Sequence, residues 1–265
     1  MSATAVRAHP LPFGTPGGPL VVFAHGLEDS WASWLPVAVE LDPSWELVAL
    51  DLPWRPGNDY RWHSRSTGDW LGEGLDLLGA RPAALVAHSF GANAAMELLC
   101  AQDPRPGPAV VLICPLYRPS HQQLTWRVFD HARSRFVEHV RDGLRARMGA
   151  RAGKMDLATL ETMMDVALDR VGPAGFLTAF HEFVVSTDLP LGNIGVPTLL
   201  IAGGADPSLP RESALALARA IPGAELRIND DYDHFCHVRQ ARGVATQVAD
   251  FLACRISTRT VGEPR

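Results

Sequence analysis

Six short, mostly apolar runs, each closed by a turn signal, constrain this chain more than anything else in it. They are Leu20–Ala24, Glu46–Leu50, Ala83–Ala87, Ala109–Ile113, Val196–Ala202 and Glu225–Ile228. Between them lie stretches with helical spacing: Trp31–Leu41, Thr67–Leu78 with Thr67 as its expected cap, Phe90–Ala101, Glu212–Ile221 and Val238–Cys254. A strand with little polar alternation is one buried on both faces, and strands that alternate with helices join a parallel sheet. The expected class is therefore α/β, a mostly parallel central sheet flanked by helices. The rhythm fails between residues 117 and 190. There Trp126, Phe129, Arg133, Phe136, Val140, Leu144 and Met148 recur at three- and four-residue steps, and Leu157–Val171 repeats the pattern. This predicts a helical cap, residues 117–190, inserted into a core made of 1–116 and 191–265. The ends, Met1–Pro19 and Ser257–Arg265, read as loose.

Composition sets the outer limits. With 265 residues, 47% of them hydrophobic, the chain can bury a substantial core and is not a disordered segment. The formal charge of −5 leaves no basic footprint for nucleic acid or an anionic membrane. No window has the roughly 18 apolar residues of a membrane span, and the first residues do not read as a secretion signal. Cys100, Cys114, Cys236 and Cys254 form no CxxC pair and read as buried small hydrophobes. A cytoplasmic protein is expected.

The chemistry lies where the third run meets its helix, at Val86-Ala-His-Ser-Phe-Gly-Ala92. Small-x-Ser-x-Gly-small between strand and helix matches a nucleophile elbow. So sharp a turn needs tiny side chains at Ala87 and Gly91. It lifts the Ser89 hydroxyl above the sheet and aims a helix N-terminus at it, so that the Phe90 amide can donate to an oxyanion. The competing reading is a strand–helix turn with an idle serine. Further along, His25-Gly26 follows the first run and offers the Leu27 amide as a second oxyanion donor. Asp206 follows the fifth run and His234 the sixth. In that order Ser89 is the nucleophile, His234 its base and Asp206 the group that orients the imidazole.

His25-Gly26, Asp51-Leu-Pro53, Ala87-His-Ser-Phe-Gly91, Asp206 and Asp233-His-Phe235 together make the chain resemble the α/β-hydrolase superfamily, of the serine hydrolase or acyltransferase type with a helical cap. The resemblance spans roughly residues 19–252 outside the cap. It implies an open, mostly parallel sheet of eight strands with the site at their C-terminal ends. The sequence departs from that pattern in places. Ala87 opens the elbow instead of glycine. Trp54-Arg-Pro-Gly57 stands where relatives often carry a glycine-rich run, which puts a large aromatic at the rim of the site. Asp233 replaces a frequent glycine and could raise the pKa of His234 if it lies close. The leading portion is short for a full hairpin.

Rivals for each role are in the same loops. Asp230, Asp231 and Asp233 compete with Asp206, and His237 competes with His234. His25 and His88 read as histidines that hold their loops; His25 and Trp54 are also candidates for substrate contact, and Trp62 for an aromatic pocket. The remaining histidines, such as His63, His121, His131, His139 and His181, show no ligand spacing, and no HExxH motif occurs, so no metal is expected. Without a P-loop or a GxGxxG turn, no cofactor is implied. The expected activity is acyl transfer from a small ester or thioester, free or carrier-bound, through an acyl-enzyme on Ser89, ending in hydrolysis or transfer. The alternatives are a lyase, cyclase or peroxidase-like enzyme that uses His234 as a base, and a silent binding protein.

Overall fold

Apolar runs of this kind can be buried on both faces only inside a sheet, and the computed structural model, which describes residues 6–256, places them there. The strands are β1 (Arg7–Pro10), β2 (Leu20–Ala24), β3 (Glu46–Asp51), β4 (Ala84–His88), β5 (Val110–Ile113), β6 (Thr198–Gly203) and β7 (Glu225–Asn229). They form one sheet in the order β1-β3-β2-β4-β5-β6-β7. Only β1 runs antiparallel, pairing Arg7 with Asp51 and Pro10 with Val48. Among the described residues the sheet thus has seven strands, not the eight that the resemblance implies, because the short leading portion supplies one strand. Part of the end read as loose is this strand. Its Arg-Ala-His-Pro sequence has no apolar run, and proline is tolerated because β1 lies on an edge.

Side chains alternate between two cores. Val22, Ala24, Leu85 and Ala87 face one layer, while Val21, Phe23, Ala84 and Val86 face the other. The helices are α1 (Leu35–Ala38), α2 (Thr67–Asp76), α3 (Phe90–Cys100), α4 (Trp126–Met148), α5 (Leu157–Val185), α6 (Arg211–Ala220), α7 (Cys236–Arg239) and α8 (Ala241–Ala253). Ser66, not Thr67, caps α2: its side chain accepts from the Asp69 amide at 3.0 Å. The segment expected as one helix from Trp31 is a 3-10 turn, Trp31–Trp34, followed by the brief α1. Helix α3 has eleven residues, a length that is marginal for an isolated helix in water. Ten of them are buried, and at about 0.8 kcal/mol per buried methylene that burial holds it. Its one buried amide, Asn93, exchanges two hydrogen bonds with the Leu116 backbone, of 2.9 and 2.8 Å, and so fixes the start of the cap.

The inserted segment between β5 and β6 carries α4 and α5. Gly172, at φ 57° and ψ −169°, breaks α5 and Pro173 restarts it, a backbone geometry that glycine adopts freely. The cap is tied down by Arg147, which donates to the Glu28 carbonyl at 2.7 Å, and its two ends are joined by the Arg118 amide, which donates to Ser186 Oγ at 3.0 Å. Among the described residues no helix is long and apolar enough to cross a membrane. Cys100, Cys114 and Cys236 are buried as expected, whereas Cys254, on the outer end of the last helix, is exposed; all four are unpaired.

Candidate active site

The strand–helix turn at the end of β4 forces Ser89 to φ 51° and ψ −119°, a conformation that is strained for any residue with a side chain. Gly91 makes the turn feasible: a Cβ there would meet the His25 and Ala24 carbonyl oxygens at 2.5 and 2.8 Å. The small-residue requirement thus comes chiefly from the neighbouring β2 end. Ser89 Oγ lies 2.9 Å from His234 Nε2, and His234 Nδ1 lies 2.9 Å from Asp206 Oδ2. The second Asp206 oxygen accepts from the Ser208 amide at 2.7 Å. All three side chains are buried. Burial works to raise the Asp206 carboxyl, but His234, the Ser208 amide and the Cys114 thiol outweigh it and hold the group below the usual carboxylate value. Asp206 is therefore ionised and accepts from Nδ1–H, which leaves the Nε2 lone pair facing the serine hydroxyl.

Two of the rival carboxylates are engaged elsewhere, and the third, Asp231, is exposed. Asp230 pairs with Arg211, and Asp233 accepts from Arg239 and from the Phe235 amide. The Asp231 backbone amide closes a turn onto Asn229. His237 is fully buried and faces Asp29, not the serine.

Helix α3 points its N-terminus at Ser89, and the Phe90 amide is its first. Neither the Phe90 nor the Leu27 amide donates to another group among the described residues. Both residues line the same cavity as Ser89. Gly26 is what allows the loop to approach: a methyl there would sit 3.2 Å from Ser89 Cβ.

His25 and Trp54, candidates for substrate contact, lie inside the protein. His25 Nε2 accepts from the Leu52 amide at 2.9 Å, so Nδ1 carries the proton and donates to the Gly26 carbonyl at 2.8 Å. Trp54 is fully buried and donates its indole N–H to the His25 carbonyl at 3.0 Å. Its ring packs edge-on against Phe90, behind the site. Together they brace the loop that carries Gly26 and Leu27. Their polar atoms are consumed in doing so, which is why they are not at the rim. Trp62 borders a separate cleft on the other side of α5, where Glu182 is pushed up to about 7 by burial and by Glu97.

The cavity above Ser89 holds about 510 Å³. Its walls are mostly apolar, with Phe136 and Leu144 from α4 and Phe176 and Phe180 from α5; Arg135 and Arg170 also border it. A site residue not foreseen from the sequence is His139. From α4 it packs its ring on that of His234, with centroids 4.6 Å apart. Burial first, and His234 second, push its pKa down to about 3, so it is neutral. Its spacing with Phe136 and Gly143 on one face of α4 was the available signal.

An open, mostly parallel sheet, a strained serine at a strand–helix turn and a Ser-His-Asp hydrogen-bonded series beneath a helical insertion define a capped α/β-hydrolase architecture. The model of the alpha/beta hydrolase family matches residues 21–247, and the chain belongs to that family. No curated protein sequence matches it. Among solved structures it is similar to the enol-lactonase from Burkholderia xenovorans LB400, at 21% identity and a TM-score of 0.65, over 94% of this chain and 96% of that one. It is similar to bromoperoxidase from Bacillus anthracis, at 19% identity and a TM-score of 0.65, over 94% and 95%. It is also similar to the thioesterase domain from the curacin biosynthetic pathway, at 18% identity and a TM-score of 0.59, over 92% and 99%. At these identities the likeness concerns the fold.

Proposed function

We propose that the protein is a serine-dependent hydrolase or acyltransferase acting on a small ester or thioester, free or carrier-bound. The observation that carries this reading is the unbroken relay from Ser89 Oγ through His234 to Asp206, opening into an apolar cavity. The Ser89 oxygen attacks the carbonyl carbon as His234 Nε2 takes its proton. The Leu27 and Phe90 amides receive the developing oxyanion. As the carbonyl re-forms, the leaving alcohol or thiol takes the proton from His234, and the acyl group stays on Ser89. Water, or a second alcohol, thiol or amine, then attacks the acyl carbon as it gives its proton to His234, and His234 returns that proton to the Ser89 oxygen as the acyl group leaves. Asp206 keeps the imidazole in the required tautomer and stabilises its charged form.

The apolar walls favour a hydrocarbon acyl portion. Four unpaired cysteines fit a reducing compartment, and the proposed location is the cytoplasm. The test is incubation with a fluorophosphonate, read by intact mass. One adduct on Ser89, absent in Ser89→Ala and strongly slowed in His234→Ala, is expected. A folded protein that takes no adduct overturns the acyl-enzyme and favours use of His234 as a base alone.

A further inference from the structure

Directly behind the relay, on the side away from the cavity, lies a second cluster that the proposed reaction does not use. Asp29 comes from the turn after β2, His88 is the last residue of β4 and His237 belongs to α7. All three are buried, at 2%, 1% and 0% exposure. Their ligand atoms all lie within 4.8 Å of one another. His237 Nε2 is 3.5 Å from Asp29 Oδ2, and the His88 and His237 rings lie tilted at 34° with centroids 3.9 Å apart. Among the described residues, His88 Nδ1 and both ring nitrogens of His237 are buried with no hydrogen-bond partner at normal distance, and each ring can turn one of these atoms to a shared point. Buried polar atoms are ordinarily satisfied, so one such nitrogen from each ring beside a buried carboxylate calls for a specific occupant.

From these residues we propose a binding site for one zinc ion, held by Asp29, His88 and His237. His88 is set up as a ligand: its Nε2 donates to the His234 carbonyl at 2.8 Å, which fixes the tautomer and leaves the Nδ1 lone pair free. Metal-bound histidines are typically oriented by such an outer hydrogen bond. Gly26 leaves room in front of that atom, since a Cβ at residue 26 would lie 3.1 Å from it. Asp29 spends one oxygen on the Ser30 amide, at 2.8 Å, and turns the other to His237. Zinc bonds of 2.0–2.2 Å at tetrahedral angles place neighbouring ligands about 3.3 Å apart, close to the Asp29–His237 separation. Two imidazoles and one carboxylate suit zinc. They supply too few oxygens for calcium or magnesium. Trp34, with its ring 5.1 Å from that of His237, packs beside the cluster.

The ion's place is structural. It ties together the three segments that carry the oxyanion loop, the nucleophile and the base, and it touches none of the reacting atoms. The sequence gives no warning because the ligands come from three distant segments with no ligand spacing. The site stands independently of the serine chemistry, and its test reads metal and not turnover.

The full chain, stripped with a chelator and dialysed, is titrated with zinc against a chromophoric chelator, with bound metal counted by elemental analysis. One zinc per chain and a raised melting temperature are expected, and magnesium should do neither. Asp29→Asn and His237→Gln, checked for folding by circular dichroism, should each weaken zinc binding more than about 100-fold, beyond the loss usual for outer-shell partners. His121→Ala, at an exposed surface histidine, should leave it unchanged. Should those variants not fold, anomalous diffraction from zinc-soaked wild-type crystals decides. A peak between the three ligands supports the site. No peak, a peak at the surface, or one at the other clustered trio of Cys114, Asp206 and His234 overturns it, leaving Asp29 and His237 as a plain buried ion pair.

Discussion

Replacing Asp206 with asparagine tests the relay more sharply than deleting it. In the wild type one oxygen of Asp206 faces His234 Nδ1 at 2.9 Å while the other accepts from the Ser208 amide at 2.7 Å. An asparagine has one oxygen and one NH2 to distribute over those two places. The Ser208 amide is a donor and cannot change role, so it captures the oxygen. The NH2 is then forced toward His234 Nδ1, which must become an acceptor. The ring proton moves to Nε2, where it faces Ser89 as a donor, and the base is lost with the geometry intact. A triad trapped in the wrong tautomer loses about 10⁴-fold in turnover, or about 5.4 kcal/mol of transition-state stabilisation. The assay is the rate of fluorophosphonate labelling of Ser89 by intact mass, together with turnover of whichever ester or thioester a panel identifies. Labelling of Asp206→Asn within tenfold of wild type refutes the tautomer argument.

Other expectations are read with ordinary equilibrium and kinetic tools. His88 and His139 are held neutral by burial, with pKa values depressed in the fold. Stability is therefore full above the unfolded value near 6.5 and falls as pH drops toward the folded values, where only the unfolded chain has gained protons. Urea midpoints between pH 7 and 5 should show His139→Gln flattening that slope by up to about 1.4 kcal/mol per pH unit; an unchanged slope contradicts it. Gly91→Ala drives a Cβ into two backbone carbonyls and should cost about 1–3 kcal/mol in urea unfolding while slowing labelling of Ser89. Phe136→Ala enlarges the cavity, and the ratio of kcat/KM for bulky against small acyl groups should rise about tenfold or more. Native protein should show one fast thiol toward a disulfide reagent, and Cys254→Ser should remove it.

The central strands were legible because burial on both faces leaves no alternation to misread. Ser89, Asp206 and His234 each stand just past such a strand, so the turn signals pointed to them before any geometry did. What escaped has physical reasons. Strand β1 is held by main-chain pairing to β3 and carries no apolar run. Trp54 looked like a rim residue because its neighbours Arg55 and Gly57 are polar or small, yet its indole N–H finds a partner only inside, at the His25 carbonyl. For His139 the spacing along α4 marked a shared face, but that this face lies on His234 follows only from the docking of α4 across the site.

That docking gives the two cap helices unequal freedom to diverge. On α4, the residues that shape the cavity share a face with His139, which rests on His234, and with Arg147, which holds the loop at Glu28. Altering the cavity from this helix disturbs His234 and the loop at Glu28 together. The aromatic side chains of α5 are less encumbered: Phe176 and Phe180 pack against each other and Phe129, Phe176 also meets Phe136, and among the described residues neither makes a ring contact with His234. New specificities should accumulate on α5, and a library confined to its cavity-facing positions should retain far more active members than one confined to α4.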